Sequence, residues 1–267
     1  MNDTLFLSVS SPFVGTEDND GYIRNRFDCD RRRAIDMATV FITGGTSGLG
    51  YETARQLIAL GHRVIIGARN AAKGAQKAEE LGCAWVLLDV FDDASVDAAA
   101  AEVRERFGGI DVLVNNAGVS SPHKDAVALD GPDAERVFQT NTLGIVRMMH
   151  AFVPLLEGSG NPVVVNVSSG MGSFAVTGDE NRAEAHIVSP LYCASKAAVN
   201  MLTRQYARAL PGIKVNTVDA GSTKTNLNGG FGMQPVEVGA EVIVRTATIG
   251  PDGPTGTFRD RTGELGW

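Results

Sequence analysis

The 267 residues are 43% hydrophobic and 21% charged, an ordinary composition for a globular chain with a sizeable core. A formal charge of −7 argues against nucleic acid or an anionic membrane as the natural partner. No apolar run approaches the roughly 20 residues that span a bilayer. Cys29, Cys83 and Cys193 are widely spaced and fit no metal-ligand pattern, so no metal site is expected and a reducing cytoplasm fits best.

Residues 1–36 carry charge without helical or strand period and read as an N-terminal extension, either disordered or untranslated with Met37 as the start codon. From residue 38 strands and helices alternate, the pattern of a parallel sheet covered on both faces. The β-branched and aromatic run from Ala38 to Thr43 is strand one, and Tyr51 to Ile58 is a helix. Arg63 to Gly67 is strand two, and Asn70 caps a helix ending near Leu81–Gly82. Ala84 to Leu88 is strand three, and Asp92 or Asp93 caps Ala94 to Phe107. Asp111 to Val114 is strand four, and one long helix runs from Gly131 to about Leu156. Pro162 to Val167 is strand five, a helix spans Pro190 to Leu210, and Ile213 to Val218 is strand six. A helix near Pro235 to Thr248 and a last strand around Gly256–Phe258 give seven strands in one domain, residues 37–267.

Between strand one and its helix lie Gly44, Thr46, Ser47, Gly48, Leu49 and Gly50. Glycines let backbone approach a pyrophosphate, and the helix start supplies free N–H donors, so this is a phosphate site. Tyr192 and Lys196 stand at i and i+4 on one helix face. An ammonium near a phenol favours the phenolate and lowers its pKa, which suits proton exchange with a substrate oxygen. Ser169 ends strand five, where ligands sit in open α/β sheets; Ser168 reads as a turn former. Asn116, Ala117 and Gly118 follow strand four and suit a backbone passing close to a ribose. Asn141 falls inside the long helix, where Asn is a modest helix former.

The pattern Thr43-Gly44…Gly48-Leu49-Gly50, with Asn115–Gly118, Asn141, Ser169…Gly172 and Tyr192…Lys196, resembles the short-chain dehydrogenase/reductase family in identity and order. The resemblance implies a single-domain Rossmann-type α/β fold, doubly wound, with a parallel sheet of about seven strands and helices on both faces. It implies an NAD(P) cofactor and a catalytic tetrad on Asn141, Ser169, Tyr192 and Lys196. Tyr192 is then the acid/base, Lys196 lowers its pKa and binds the nicotinamide ribose, and Ser169 positions the carbonyl. Asn141 would distort its helix and hold a water in the proton relay. Gly221, Thr223 and Thr225 are expected on the nicotinamide side, although Ala220-Gly221 replaces the family's Pro-Gly and predicts a looser loop. Ser169 to Tyr192 spans 23 positions, longer than usual in the family, and with the tail from Val236 to Trp267 this resembles the carbonyl-reductase branch.

Cofactor choice rests on the end of strand two. An acidic residue there binds the ribose hydroxyls of NAD. Here the position is Ala68, and Arg69 follows it, a guanidinium suited to the 2′-phosphate of NADPH, with Lys73 and Lys77 as further donors. Asp89 is expected by the adenine amino group, with Val90 beside it. These readings predict NADPH-dependent reduction of a small-molecule ketone or aldehyde, with NADH the less favoured cofactor. The reverse alcohol oxidation and a non-catalytic NADP-binding sensor remain open. Gly229-Gly230-Phe231-Gly232 reads as a short mobile cover that favours bulky or varied substrates. The segment 173–189 lies next to the helix through which family members pair, so a monomer is expected over a dimer or tetramer.

Overall fold

The computed structural model describes residues 37–267, and the readings made for residues 1–36 lie outside the described residues. Strand β1 (Thr39–Thr43) is buried along its whole length. Helix α1 (Gly48–Ala59), strand β2 (Arg63–Ala68), helix α2 (Ala71–Leu81), strand β3 (Ala84–Leu87) and helix α3 (Asp93–Phe107) follow. Asn70 caps α2 by accepting the N–H of Lys73, and Asp92 rather than Asp93 caps α3 by accepting that of Ala94. Gly82 and Gly108 close the two helices in the left-handed region.

Strand β4 (Val112–Asn115) leads into helix α4 (Gly131–Phe138) and helix α5 (Gly144–Leu156). The sequence predicts one helix here, and the two parts are joined by a π turn over Gln139–Leu143. Strand β5 (Val163–Val167), the short α6 (Phe174–Thr177), helix α7 (Pro190–Ala209) and strand β6 (Lys214–Val218) come next. Helix α8 (Val236–Ala247) and strand β7 (Phe258–Arg259) complete the order. The last strand starts later than Gly256 because that residue sits at φ +70°, outside extended backbone.

All seven strands are parallel, in the order β3-β2-β1-β4-β5-β6-β7. Side chains alternate between faces along each strand. Phe41, Ile65, Leu113, Val164 and Val215 meet Val103 of α3, Phe152 of α5 and Val199 of α7 on one face. Val40, Ile42, Val64, Ile66, Val114 and Val165 meet Leu57 of α1 and Ile243 of α8 on the other. Burial on both faces explains the near-continuous apolar strands. Strand order reverses between β1 and β4, which opens a crevice beyond their carboxyl ends, and the candidate site lies there.

Candidate active site

The turn between β1 and α1 is shaped by its glycines. Gly44 and Gly48 have φ of +65° and +54°, a region a side chain would strain. A Cβ on Gly50 would collide with the Gly44 carbonyl and the Asn116 amide. Asn116 Nδ2 donates to the carbonyls of Thr43 at 2.9 Å and Gly44 at 3.3 Å. The Thr43 hydroxyl accepts the N–H groups of Asn116 and Ala117, each at 2.9 Å. These bonds stitch the glycine turn to the end of β4. Ser47 is the N-cap residue of α1, yet its side chain makes no capping bond, and the first turn holds no acidic residue. Its N–H groups are thus left for an anion, and the cradle fits a dinucleotide pyrophosphate. The methyl of Thr225 lies 3.4 Å from where a Cβ on Gly48 would stand, so Thr225 borders the same cradle.

Helix α7 begins at Pro190, and its free first-turn N–H at Tyr192 donates to Ser121 Oγ at 2.8 Å. Lys196, one turn on, is 5% exposed; its Nζ donates to the Val167 carbonyl at 2.8 Å and lies 5.6 Å from the Tyr192 ring centre. Ser169 follows β5; its hydroxyl is hydrogen-bonded to the Tyr192 phenol and accepts the Met171 N–H at 3.2 Å. Ser168, predicted as a turn former, instead donates to the Lys196 carbonyl at 3.2 Å and ties β5 to α7. Gly172 permits this closeness, because a Cβ there would stand 2.5 Å from the Lys196 carbonyl carbon.

Asn141 sits in the π turn, 1% exposed. Its Nδ2 donates to the Val119 carbonyl at 2.9 Å and to Ser195 Oγ at 3.0 Å, and its Oδ1 accepts the Val119 N–H at 2.8 Å. The amide therefore braces the loop after β4 against α7. A Cβ on Gly118 would lie 3.3 Å from Asn141 Oδ1 and 3.8 Å from Lys196 Nζ, so these three converge. Asn141 from the π turn, Ser169 from the end of β5 and the Tyr192–Lys196 pair from α7 thus come from three separate elements to one place.

The charges differ from the sequence expectation. Burial, with the Asp219 carboxylate adding to it, pushes the Tyr192 phenol above its ordinary value, and the Ser169 hydrogen bond offsets only part of this. Burial brings Lys196 down to about 8, against the pull of Asp219. Lys196 is not among the groups that shift the phenol here, whose raised value comes from burial and Asp219. The phenol stays protonated at neutral pH, as a proton donor must.

Arg69 is exposed at the end of β2 and makes no hydrogen bond or ion pair among the described residues. The Lys73 side chain is exposed nearby, whereas Lys77 is engaged with Glu80 at 2.7 Å and with the Tyr51 ring. Asp89 lies beyond β3, accepting the Phe91 N–H at 3.0 Å, and Val90 is buried against the Gly144 backbone.

The turn at Gly221 is not loose. Asp219 Oδ1 accepts the Gly221 N–H at 2.9 Å, and the Thr223 hydroxyl donates to the Ala220 carbonyl at 2.9 Å. Gln234 Nε2 donates to Ala220 O at 2.5 Å and to Thr223 Oγ1 at 3.1 Å, replacing the rigidity of a proline. Thr43, Ser121, Ser195, Asp219 and Gln234 were not singled out as site residues from the sequence. Of these, Thr43 stood in the glycine motif without a role of its own, and Asp219 left a signal as a carboxylate directly ending an apolar strand.

A family model described as short chain dehydrogenase matches residues 38–234. A short-chain dehydrogenase of Penicillium roqueforti (strain FM164) is 35% identical over 230 residues, 81% of this chain and 91% of the relative. The (+)-neomenthol dehydrogenase of Arabidopsis thaliana is 31% identical over 280 aligned positions, 82% of this chain and 95% of the relative. The structure of salutaridine reductase from Papaver somniferum matches with a TM-score of 0.72 and 30% identity, covering 83% of this chain and 99% of that one. A glycine cradle at the switch point, a Tyr–Lys pair behind it and this breadth of match place the chain in the short-chain dehydrogenase family of oxidoreductases.

Proposed function

We propose that this protein is a carbonyl reductase that uses NADPH to reduce an apolar ketone or aldehyde to an alcohol, with Tyr192 as the acid. The observation that carries the reading is the convergence of Tyr192, Ser169 and Lys196 beside a cradle built for a dinucleotide. When bound, NADPH supplies the hydride. Ser169 holds the carbonyl oxygen by a hydrogen bond. Tyr192 gives its proton to that oxygen as negative charge develops there. Lys196, anchored on Val167, orients the ribose. A phenol held protonated by burial favours reduction over alcohol oxidation, and an assembled tetrad argues against a sensor without turnover. Neighbouring loops hold large exposed apolar side chains: Val127, Ile187, Val188, Phe231 and Met233. Their exposed apolar surface supports an apolar substrate. Cys83 and Cys193 are free thiols, which supports a cytoplasmic setting.

Cofactor choice is carried by Arg69, whose unengaged guanidinium can grip a 2′-phosphate. A charged hydrogen bond to phosphate changes affinity by about 10- to 100-fold. Arg69→Ala should weaken NADPH by that factor and leave NADH nearly unchanged, as measured by fluorescence titration. Equal use of NADH and NADPH by the wild-type enzyme would remove Arg69 from this role.

A further inference from the structure

The reduction chemistry leaves one buried carboxylate without a task. Asp219, at the carboxyl end of β6, is 6% exposed. Its Oδ1 accepts the Gly221 N–H at 2.9 Å, and the Gly170 N–H also donates to the carboxylate. Its Oδ2 lies 2.9 Å from where a Cβ on Gly170 would stand, and Glu184 Oε1 lies 3.1 Å from the same point. Gly170 adjoins Ser169, and Gly221 opens the turn that carries Thr223 and Thr225. The Ser168 N–H donates to the Val218 carbonyl at 2.8 Å, which sets the two strand ends side by side. One side chain therefore joins both turns.

A neutral amide would fill the same volume without the cost of a buried charge. Burial pushes the Asp219 carboxyl above its ordinary value, with Glu184 and Asp260 adding to it, while the Gly221 and Gly170 backbone N–H groups pull it back. Arg182 pairs with Glu184 at 3.2 Å, so no cation is bonded to Asp219 directly. We propose that Asp219 is a positioning residue: its side chain locks the Ser169 turn to the Gly221 turn, and through that lock it holds Ser169 in place against Tyr192. The second half of this rests on the reading of Tyr192 as the acid.

The test compares Asp219→Asn, which keeps the shape, with Asp219→Ala, which also opens space. Hydrogen exchange should quicken at residues 170–172 and 221–223. Full NADP+ should bind about 10-fold more weakly, while 2′,5′-ADP, which samples only the adenosine end, stays within about twofold. Unchanged exchange in Asp219→Ala would overturn the lock, and NADP+ binding within twofold of wild type in that variant would overturn its role at the site. Exchange and binding need no turnover, so a wild type that reduces no carbonyl would refute the reading of Tyr192 while the lock is still decided.

Discussion

At the scale of single residues, the ionisable groups of the candidate site are shaped by desolvation, with Lys196 buried and Tyr192 half-buried. Tyr192 is kept a phenol mainly by burial, which suits a donor in reduction. Tyr192→Phe should lose about 10²- to 10⁴-fold in turnover with NADPH binding nearly intact by fluorescence titration. Lys196 makes the opposite trade. Its folded-state value of about 8 lies below the ordinary 10.5, because burial penalises the ammonium. The folded state therefore binds this proton less well than the unfolded chain does. Lys196 subtracts stability fully below about pH 8, and the subtraction fades as pH rises toward 10.5. Replacing it with Met should abolish turnover. The melting temperature of Lys196→Met relative to wild type should be more favourable at about pH 7 than at about pH 10. An equal difference at both values, by scanning calorimetry, would show that the lysine is not buried as a cation.

At the scale of elements, glycines decide how closely backbone segments approach. Gly172 lets the turn after β5 press on α7 at Lys196, and no other residue fits that gap. Gly172→Ala should cost about 1–3 kcal/mol in chemical denaturation and separate Ser169 from Tyr192, with a matching loss of turnover. Unchanged stability would mean that the two elements can part freely. The sequence made the elements legible because strand runs, caps and glycine stops act over a few residues. The nearness of Ser169, Tyr192 and Lys196 was legible too, since they stand in motifs of fixed spacing. Asn115 Nδ2 donating to Asn166 Oδ1, and Asn166 Nδ2 to Thr203 Oγ1, were not legible. Those partners are joined only by strand pairing and helix docking. The bracing of Gly221 by Gln234, 13 positions on, was hidden for the same reason. The phenol's raised value also depends on burial, which spacing alone does not reveal.

At the scale of the whole molecule, the sheet positions the chemistry and the outer helices decide assembly. The segment 173–189 was expected to cover α7. Phe174 at its start borders the α7 face with Met201 and Arg204, Glu184 lies against Gly170, and Met201 stays 58% exposed. The chain's end flanks that helix: Arg204 stacks 5.2 Å from the Trp267 ring, and the Ser173 hydroxyl donates to the Gly266 carbonyl at 2.7 Å. Arg204 and Arg208 share this face with Met201, and a two-fold pairing would bring their like charges together. We therefore keep the monomer as the proposal, on different grounds, and light scattering at micromolar concentration should give one chain per particle; a stable tetramer would refute it. The central claim is that the molecule reduces carbonyls with NADPH, and turnover tests it most directly. Purified protein mixed with NADPH and a panel of apolar ketones and aldehydes should consume NADPH and form an equal amount of alcohol, faster than with NADH, and Tyr192→Phe should not. No consumption with any member of the panel, or the same rate in Tyr192→Phe, would contradict the account.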